Sequence, residues 1–261
     1  PHTRPEQVIN KDGICNACIS HENKKKIDWK QREKKFLKIL DQFKSKNNWD
    51  CIIPSSGGKD SHWQALKLRE LGMKPLLVTA TTCHLSKNGR QNLDNLKKLG
   101  FDTIEVSPNI KVRKILNKLC LELVGDIAWP EHVSIFTVPV QIALKFNIPL
   151  IVWGENPQFE YGGPVRENAN IMDRKWLEEF GGLLGLRKED LLNHYKFNQR
   201  DLLPYTYPKD SDLKKAKVQG VFLGYYFNWN NLENFKIAKK NGFTPFHNPI
   251  EGGYYNFEKI D

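Results

Sequence analysis

Residues 51 to 61 read Cys51-Ile52-Ile53-Pro54-Ser55-Ser56-Gly57-Gly58-Lys59-Asp60-Ser61. An apolar run stops at Pro54 and gives way to small residues and a glycine pair. An amphipathic segment then opens at Asp60-Ser61 and continues through Trp63, Leu66 and Leu71. The pattern predicts a strand, a tight loop and a helix. Gly57 and Gly58 allow positive φ and close approach to a ligand, and the N–H groups at a helix start favour an anion. The stretch therefore reads as a phosphate cradle.

The flanking sequence repeats the alternation. Strands are expected over 51–54, 75–80, 102–106 and 149–153. Helices are expected over 61–71, 89–99 (closed by Gly100), 110–123 and 134–146, the last interrupted near Pro139. Short continuous apolar strands separated by helices predict an α/β protein, a doubly wound parallel sheet covered on both faces. Ligands of such sheets bind beyond the carboxyl ends of the strands, where strand order reverses. Three loops should meet there. Ser56 to Ser61 would hold phosphates, Thr79-Ala80-Thr81-Thr82 would contact adenine and ribose, and Gly154-Glu155-Asn156 would complete the crevice. Thr81 and Thr82 read equally as ordinary strand-end hydroxyls.

The loop after the fourth strand runs Trp153-Gly154-Glu155-Asn156-Pro157-Gln158-Phe159-Glu160-Tyr161-Gly162-Gly163. Glu155 or Glu160 suits magnesium, which takes oxygen ligands, or a sugar hydroxyl; the other reading is a helix-capping network. Near the start, Cys15 and Cys18 have the C-x-x-C spacing of a zinc knuckle, yet two ligands do not close a tetrahedral site. The chain begins at Pro1 without methionine, so an upstream segment with a second Cys pair is expected; a metal-free pair of thiols is the alternative. Residues 23–46 form a basic, helix-compatible stretch with one apolar face (Trp29, Phe36, Leu37, Leu40, Phe43).

Three regions are expected: residues 1–46 with the Cys knuckle and basic helix, 47–163 as the nucleotide-binding domain, and 164–261 as an α-rich substrate or partner region. In the last, helices are read over 176–184, 188–194, 210–217 and 232–240, and a strand over 220–227. Asn241-Gly242 forms a C-cap.

The formal net charge of +10 suits nucleic acid, ATP, nucleotide-linked sugars or an acidic protein alike. The lysines of 23–46 read as a solvated helix face rather than a nucleic-acid patch. No apolar run reaches membrane-spanning length and the first residues have no signal-peptide core, so a cytoplasmic protein without membrane contact is expected. Five cysteines, an odd count, argue against a disulfide framework.

The loop lacks the spacing of the Walker sequence. Ser56-Gly57-Gly58-Lys59-Asp60-Ser61 instead resembles the SGGxDS signature of the PP-loop ATP pyrophosphatases, whose sheet is of the adenine nucleotide alpha hydrolase kind. Gly13-Ile14-Cys15-Asn16-Ala17-Cys18, the loop and the stretch from Trp153 to Gly163 together resemble the N-acetyl sugar amidotransferases of bacterial surface glycans, a group serving pseudaminic acid and lipopolysaccharide biosynthesis. The likeness extends over nearly the whole chain. It implies use of ATP and Mg2+, with Ser56, Gly57, Gly58, Lys59, Asp60, Ser61, Thr79, Thr81, Gly154 and Glu155 around the nucleotide and Lys59 and Asp60 in catalysis. It further implies Asn156, Glu160 and Tyr161 near an acetamido sugar, and Zn2+ on Cys15 and Cys18. Ammonia would come from glutaminase and cyclase-like subunits, since the chain has no recognisable glutaminase module. Family members usually begin with an earlier C-x-x-C and continue past residue 261, so this chain is expected to be shortened at both ends. The rival reading is a tRNA-modifying PP-loop enzyme, against which Cys83 stands alone where sulfur chemistry uses several cysteines. A non-catalytic nucleotide-binding scaffold is the third.

Overall fold

The computed structural model describes residues 8–81, 85–156, 171–172, 185–194 and 197–246. Among these residues the sheet has six strands in the order β3-β2-β1-β4-β6-β5: β1 (Cys51–Pro54), β2 (Pro75–Ala80), β3 (Asp102–Val106), β4 (Leu150–Trp153), β5 (Ile171–Met172) and β6 (Gln219–Phe222). All neighbours pair parallel except β5, which runs antiparallel to β6. The sheet is doubly wound, as expected, and its fifth parallel strand comes from beyond residue 200.

The two-residue period of a strand divides each apolar run between two cores. Cys51, Ile53, Leu77, Leu150 and Val152 face Phe36 and Leu40 of α2 (Trp29–Phe43) and Trp63, Ala65 and Leu68 of α3 (Lys59–Glu70). Ile52, Leu76, Val78, Ile151 and Trp153 face Val138, Val140 and Ala143 of α6 (Trp129–Phe146). β1, β2 and β4 are thus buried on both sides, which explains why they read as unbroken apolar runs. A third cluster joins α5 (Ile110–Val124) and α6 to Leu191 of α7 (Lys188–His194) and to Leu202 and Tyr205 of the 3-10 stretch Gln199–Tyr205.

Most boundaries shift by a residue or two, α6 runs through Pro139 without the expected interruption, and three differences are larger. A helix, α1 (Asn16–Lys24), covers the segment read as the Cys knuckle, and the helix of the basic stretch, α2, starts only at Trp29. The side chain of Asp28 accepts from the Gln31 N–H at 3.0 Å and starts α2 anew. α6 begins at Trp129, five residues early, because Pro130 occupies its first turn, where a missing N–H costs nothing. β6 ends at Phe222 instead of 227. The chain turns into the short helix α9 (Leu223–Tyr226), where the Gly224 N–H donates to the Gly154 carbonyl at 3.0 Å. The helix read over 176–184 lies outside the described residues, and α8 (Asp210–Lys215) and α10 (Asn231–Lys240) follow the expected pattern.

β3, an edge strand of the parallel set, is tied to α4 (Lys87–Lys98) by Glu105. Arg90 grips its carboxylate through two nitrogens at 2.8 Å, and the Lys97 ammonium lies 2.8 Å away. Arg90 first, then Lys97, hold this carboxyl down at about 2, against an ordinary value of 4.5. A depressed carboxylate stabilises the fold fully above the unfolded value and loses that contribution as pH falls from about 4.5 towards 2. Solvent reaches both cations, so the expected loss is only about 1 kcal/mol. Urea unfolding of Glu105→Gln across that window should show a flatter acid limb than the wild type; an identical limb removes Glu105 as its source.

Among the described residues no helix is long and apolar enough to cross a membrane.

Candidate active site

β1 leads to β2 and β3 on one side, while β4 pairs with its other edge. The reversal opens a crevice above the carboxyl ends of β1 and β4. The loop after β1 is shaped by its own serines. The Ser56 N–H donates to Ser61 Oγ at 3.0 Å, and the Gly58 N–H donates to Ser56 Oγ at 3.3 Å. Gly57 has φ +83°, in the left-handed region that glycine accepts without strain. A Cβ there would lie 2.9 Å from the Leu93 side chain. The N-cap of α3 is Gly58, which supplies no side-chain acceptor to the first-turn N–H groups. A helix start of this kind is suited to an anion.

A cavity of about 360 Å³ lies at this point. All three expected loops contribute to it: Ser56, Asp60 and Ser61; Thr79 and Thr81; Gly154 and Glu155. Phe136, Trp153, Phe222 and Trp229 give it an apolar and aromatic floor, and its volume lies in the range of small-molecule sites. Three further atoms suggest a polar occupant. Ser55 Oγ, Trp153 Nε1 and Trp229 Nε1 are buried with no hydrogen-bond partner among the described residues, and all three residues line the cavity. Buried polar groups are normally paired.

Gly57, Gly58, Lys59 and Asn156 are not among the described lining residues. Lys59 is only 4% exposed and turns its ammonium to Asp60 Oδ2 at 2.8 Å. Asp60 Oδ1 accepts from Asn234 Nδ2 of α10 at 2.8 Å. The carboxylate is thereby held by two donors while remaining on the cavity. Asn156 is buried at 1% exposure. The Thr81 hydroxyl donates to Ser107 Oγ at 2.8 Å, so this side chain serves the strand end, and its residue still lines the crevice. Glu160 and Tyr161 lie outside the described residues.

The residues present fit a nucleotide with magnesium. A hard cation of this kind is held by one or two carboxylates plus substrate phosphates and water. Asp60 and Glu155 line the cavity and would supply those carboxylates, and among the described residues no cluster of three candidate ligands forms a closed protein site. The same observation bears on zinc. Cys15 caps α1, its Sγ accepting from the Cys18 N–H at 3.4 Å, and a side-chain hydrogen bond with Cys15 raises the Cys18 thiol. Two thiols alone do not complete a tetrahedral centre.

Several supporting residues escaped the sequence reading. Gln64 of α3, buried, donates to the Val152 carbonyl at 2.6 Å and joins the loop helix to β4. Asn234 sits on the buried stripe of α10 with Ala238, and a polar residue on an apolar stripe was the available signal. Burial pushes the His62 imidazole below its ordinary value.

Arg113 of α5 is 1% exposed and donates from Nη2 to the Thr81 carbonyl at 2.6 Å, with Glu131 3.8 Å from its Nε. Arg113→Met should cost about 2–3 kcal/mol, since it strips a buried carbonyl of a charged donor. Urea unfolding measures this; a change below 0.5 kcal/mol, the scatter of surface substitutions at roughly that size, rules out Arg113 as the anchor of the Thr81 loop.

No known family model matches the chain, and no curated protein matches it. Among solved structures, a predicted subunit of tRNA methyltransferase from Methanocaldococcus jannaschii is similar over 72% of this chain and 75% of its own, at 14% identity and TM-score 0.37. NMN synthetase from Francisella tularensis is similar over 80% of this chain and 96% of its own, at 13% identity and TM-score 0.35. Likenesses of this strength add nothing to the geometry of the site.

Proposed function

We propose that this chain is an ATP-dependent amidotransferase that converts the N-acetyl group of a bacterial surface-glycan sugar to an acetamidino group. The observation that carries the reading is the convergence of the Ser56–Ser61 turn with the loops after β2 and β4 on one cavity at the strand-order reversal. The resemblance of the same turn to the PP-loop signature supplies the chemistry.

The amide oxygen of the sugar attacks the α-phosphorus of ATP, and pyrophosphate leaves. Ammonia then adds to the imidate carbon and AMP departs with the original amide oxygen, leaving the acetamidino product. An amide oxygen is a very poor leaving group until it is adenylated.

Within this reading the turn from Ser56 to Ser61 cradles the β- and γ-phosphates, and Thr79 and Thr81 flank the adenosine. Asp60 and Glu155 would hold magnesium, which when bound would supply charge neutralisation on the phosphates. Lys59 sets the Asp60 carboxylate through its ion pair. Asn156, Glu160 and Tyr161 belong to the sugar side. Positioning and charge neutralisation carry the catalysis, and no general base is required of the protein. Glutaminase and cyclase-like partner subunits would deliver the ammonia, and zinc, if held by Cys15 and Cys18, would need further ligands.

The test is pyrophosphate release from MgATP with ammonium, in the presence of acetamido sugars, nucleotide-linked acetamido sugars or bulk tRNA. Release that requires a sugar, with AMP as co-product, is the expected result. Release that requires tRNA instead assigns the chain to nucleic-acid modification, and ATP binding without release under any condition makes it a scaffold.

A further inference from the structure

We infer that His62 is a positioning residue for the phosphate turn, holding the Gly58 carbonyl in place by a tautomer that Asn95 dictates. This rests on the ATP reading of the crevice.

His62 lies on the first turn of α3, directly after the glycine-rich loop, and is fully buried. Its Nδ1 is 3.0 Å from the Gly58 carbonyl oxygen, as a second donor beside the helical His62 N–H at 3.1 Å, and its Nε2 is 3.1 Å from Asn95 Nδ2 on α4. Asn95 Nδ2 is also 2.8 Å from the Asn241 carbonyl oxygen. A backbone carbonyl only accepts, so the Asn95 atom facing it is the amide nitrogen, and its second hydrogen points at His62. Nε2 must therefore accept. The single proton of the neutral ring then sits on Nδ1 and is donated to Gly58.

The consequence for the turn follows from peptide planarity. In a trans peptide the C=O and N–H point in opposite directions. Fixing the Gly58 carbonyl back into the helix aims the Lys59 N–H out of the helix start, towards where an anion is bound. Phe243 packs on the imidazole at 5.4 Å between ring centres, which leaves the ring little room to rotate. Behind it, Gly242 has φ +90°, and a Cβ there would come within 2.5 Å of Asn95 Oδ1. The Asn241-Gly242 corner that ends α10 thus acts on the turn through Asn95 and His62. The same helix grips Asp60 through Asn234. Residues about 180 positions downstream hold the turn at both ends of the α3 first turn.

Two substitutions separate this from a merely packed histidine. His62→Asn places an amide near Nδ1 and keeps a side-chain donor for Gly58; His62→Gln places its amide near Nε2 and keeps only the Asn95 side-chain contact, the backbone N–H of residue 62 reaching Gly58 in both. Binding of the magnesium complex of α,β-methylene-ATP is measured by titration calorimetry, with urea midpoints for all proteins. His62→Gln should weaken binding about tenfold or more, while His62→Asn stays within about threefold, at similar losses of stability. Equal weakening in both, or none in either, overturns the inference while leaving the ATP reading intact. A wild type that fails to bind the analogue overturns the ATP reading and this inference with it. Nitrogen-15 NMR of the wild type reads the tautomer without ligand: Nδ1-protonated is expected, and an Nε2-protonated ring overturns the geometry even if neither variant folds.

Discussion

Asp60→Asn is expected to lower pyrophosphate release by about 10²–10³-fold, the usual consequence of deleting a preorganised charge at a reacting centre. The carboxylate is at once a cavity wall, an acceptor for Asn234 and the counter-charge of buried Lys59. An amide in its place keeps an acceptor for Asn234 and loses the anion. It also turns an N–H towards the Lys59 ammonium, so some stability is lost as well, about 1–3 kcal/mol. Against an ordinary total of about 5–15 kcal/mol, that leaves nearly all molecules folded, and the rate loss is then a site effect. A magnesium titration separates the two further. If the carboxylate holds the metal, the variant needs more magnesium for half-maximal release, and the plateau stays low. An unchanged rate at saturating magnesium takes Asp60 out of the reaction.

The parts of this site that the sequence reveals are those encoded by neighbours. β1 and β2 begin and end where the apolar runs do, because a parallel strand buried on both faces leaves no polar alternation to misread. Once the strands are placed, their carboxyl-end loops fall together by topology, which is why Ser56, Thr79 and Glu155 reach one cavity from segments about 100 residues apart. Side-chain direction is a different matter. Lys59 reads as a phosphate ligand from its place in the motif, yet the adjacent carboxylate turns it inward.

Asn88, Asn92 and Asn95 show a deeper limit. Spaced at helical period on α4, all three bind the chain between Asn241 and Thr244. Asn88 Nδ2 donates to the Thr244 carbonyl at 2.8 Å. Asn92 pairs with Thr244 in both directions at 2.9 Å, as a strand neighbour would. Side-chain amides carry the same donor and acceptor as a peptide, so such a stripe can stand in for backbone. Nothing local distinguishes it from a wet surface, since the partner lies about 150 residues away. The end of β6 was hidden for the same reason: Phe222-Leu223-Gly224-Tyr225-Tyr226 continues an apolar, aromatic pattern, and only contact with the loop after β4 bends it into a helical turn.

That contact supplies the second large expected effect. Gly224→Ala should cost about 1–3 kcal/mol, the range for overpacking, and reduce pyrophosphate release by about 10²-fold through displacement of the loop after β4. A Cβ on Gly224 would lie 2.9 Å from the Asn156 nitrogen, 3.3 Å from Glu155 Cα and 3.4 Å from the Glu155 carbonyl carbon. All three are backbone atoms, so no rotamer change relieves the clash. Either the turn after β6 or the segment Gly154-Glu155-Asn156 must move, and the Gly224 N–H bond to the Gly154 carbonyl strains with it. Gly154 and Glu155 line the cavity, which carries the shift into the site. Gly100→Ala is the matched control. Its φ of +84° disfavours alanine, at about 1–2 kcal/mol, while the space around its missing Cβ is open. Both variants should therefore lose stability in urea, and only Gly224→Ala should lose rate. Equal rates in the two would mean that the loop after β4 tolerates displacement and that Glu155 does not set the geometry of the reaction.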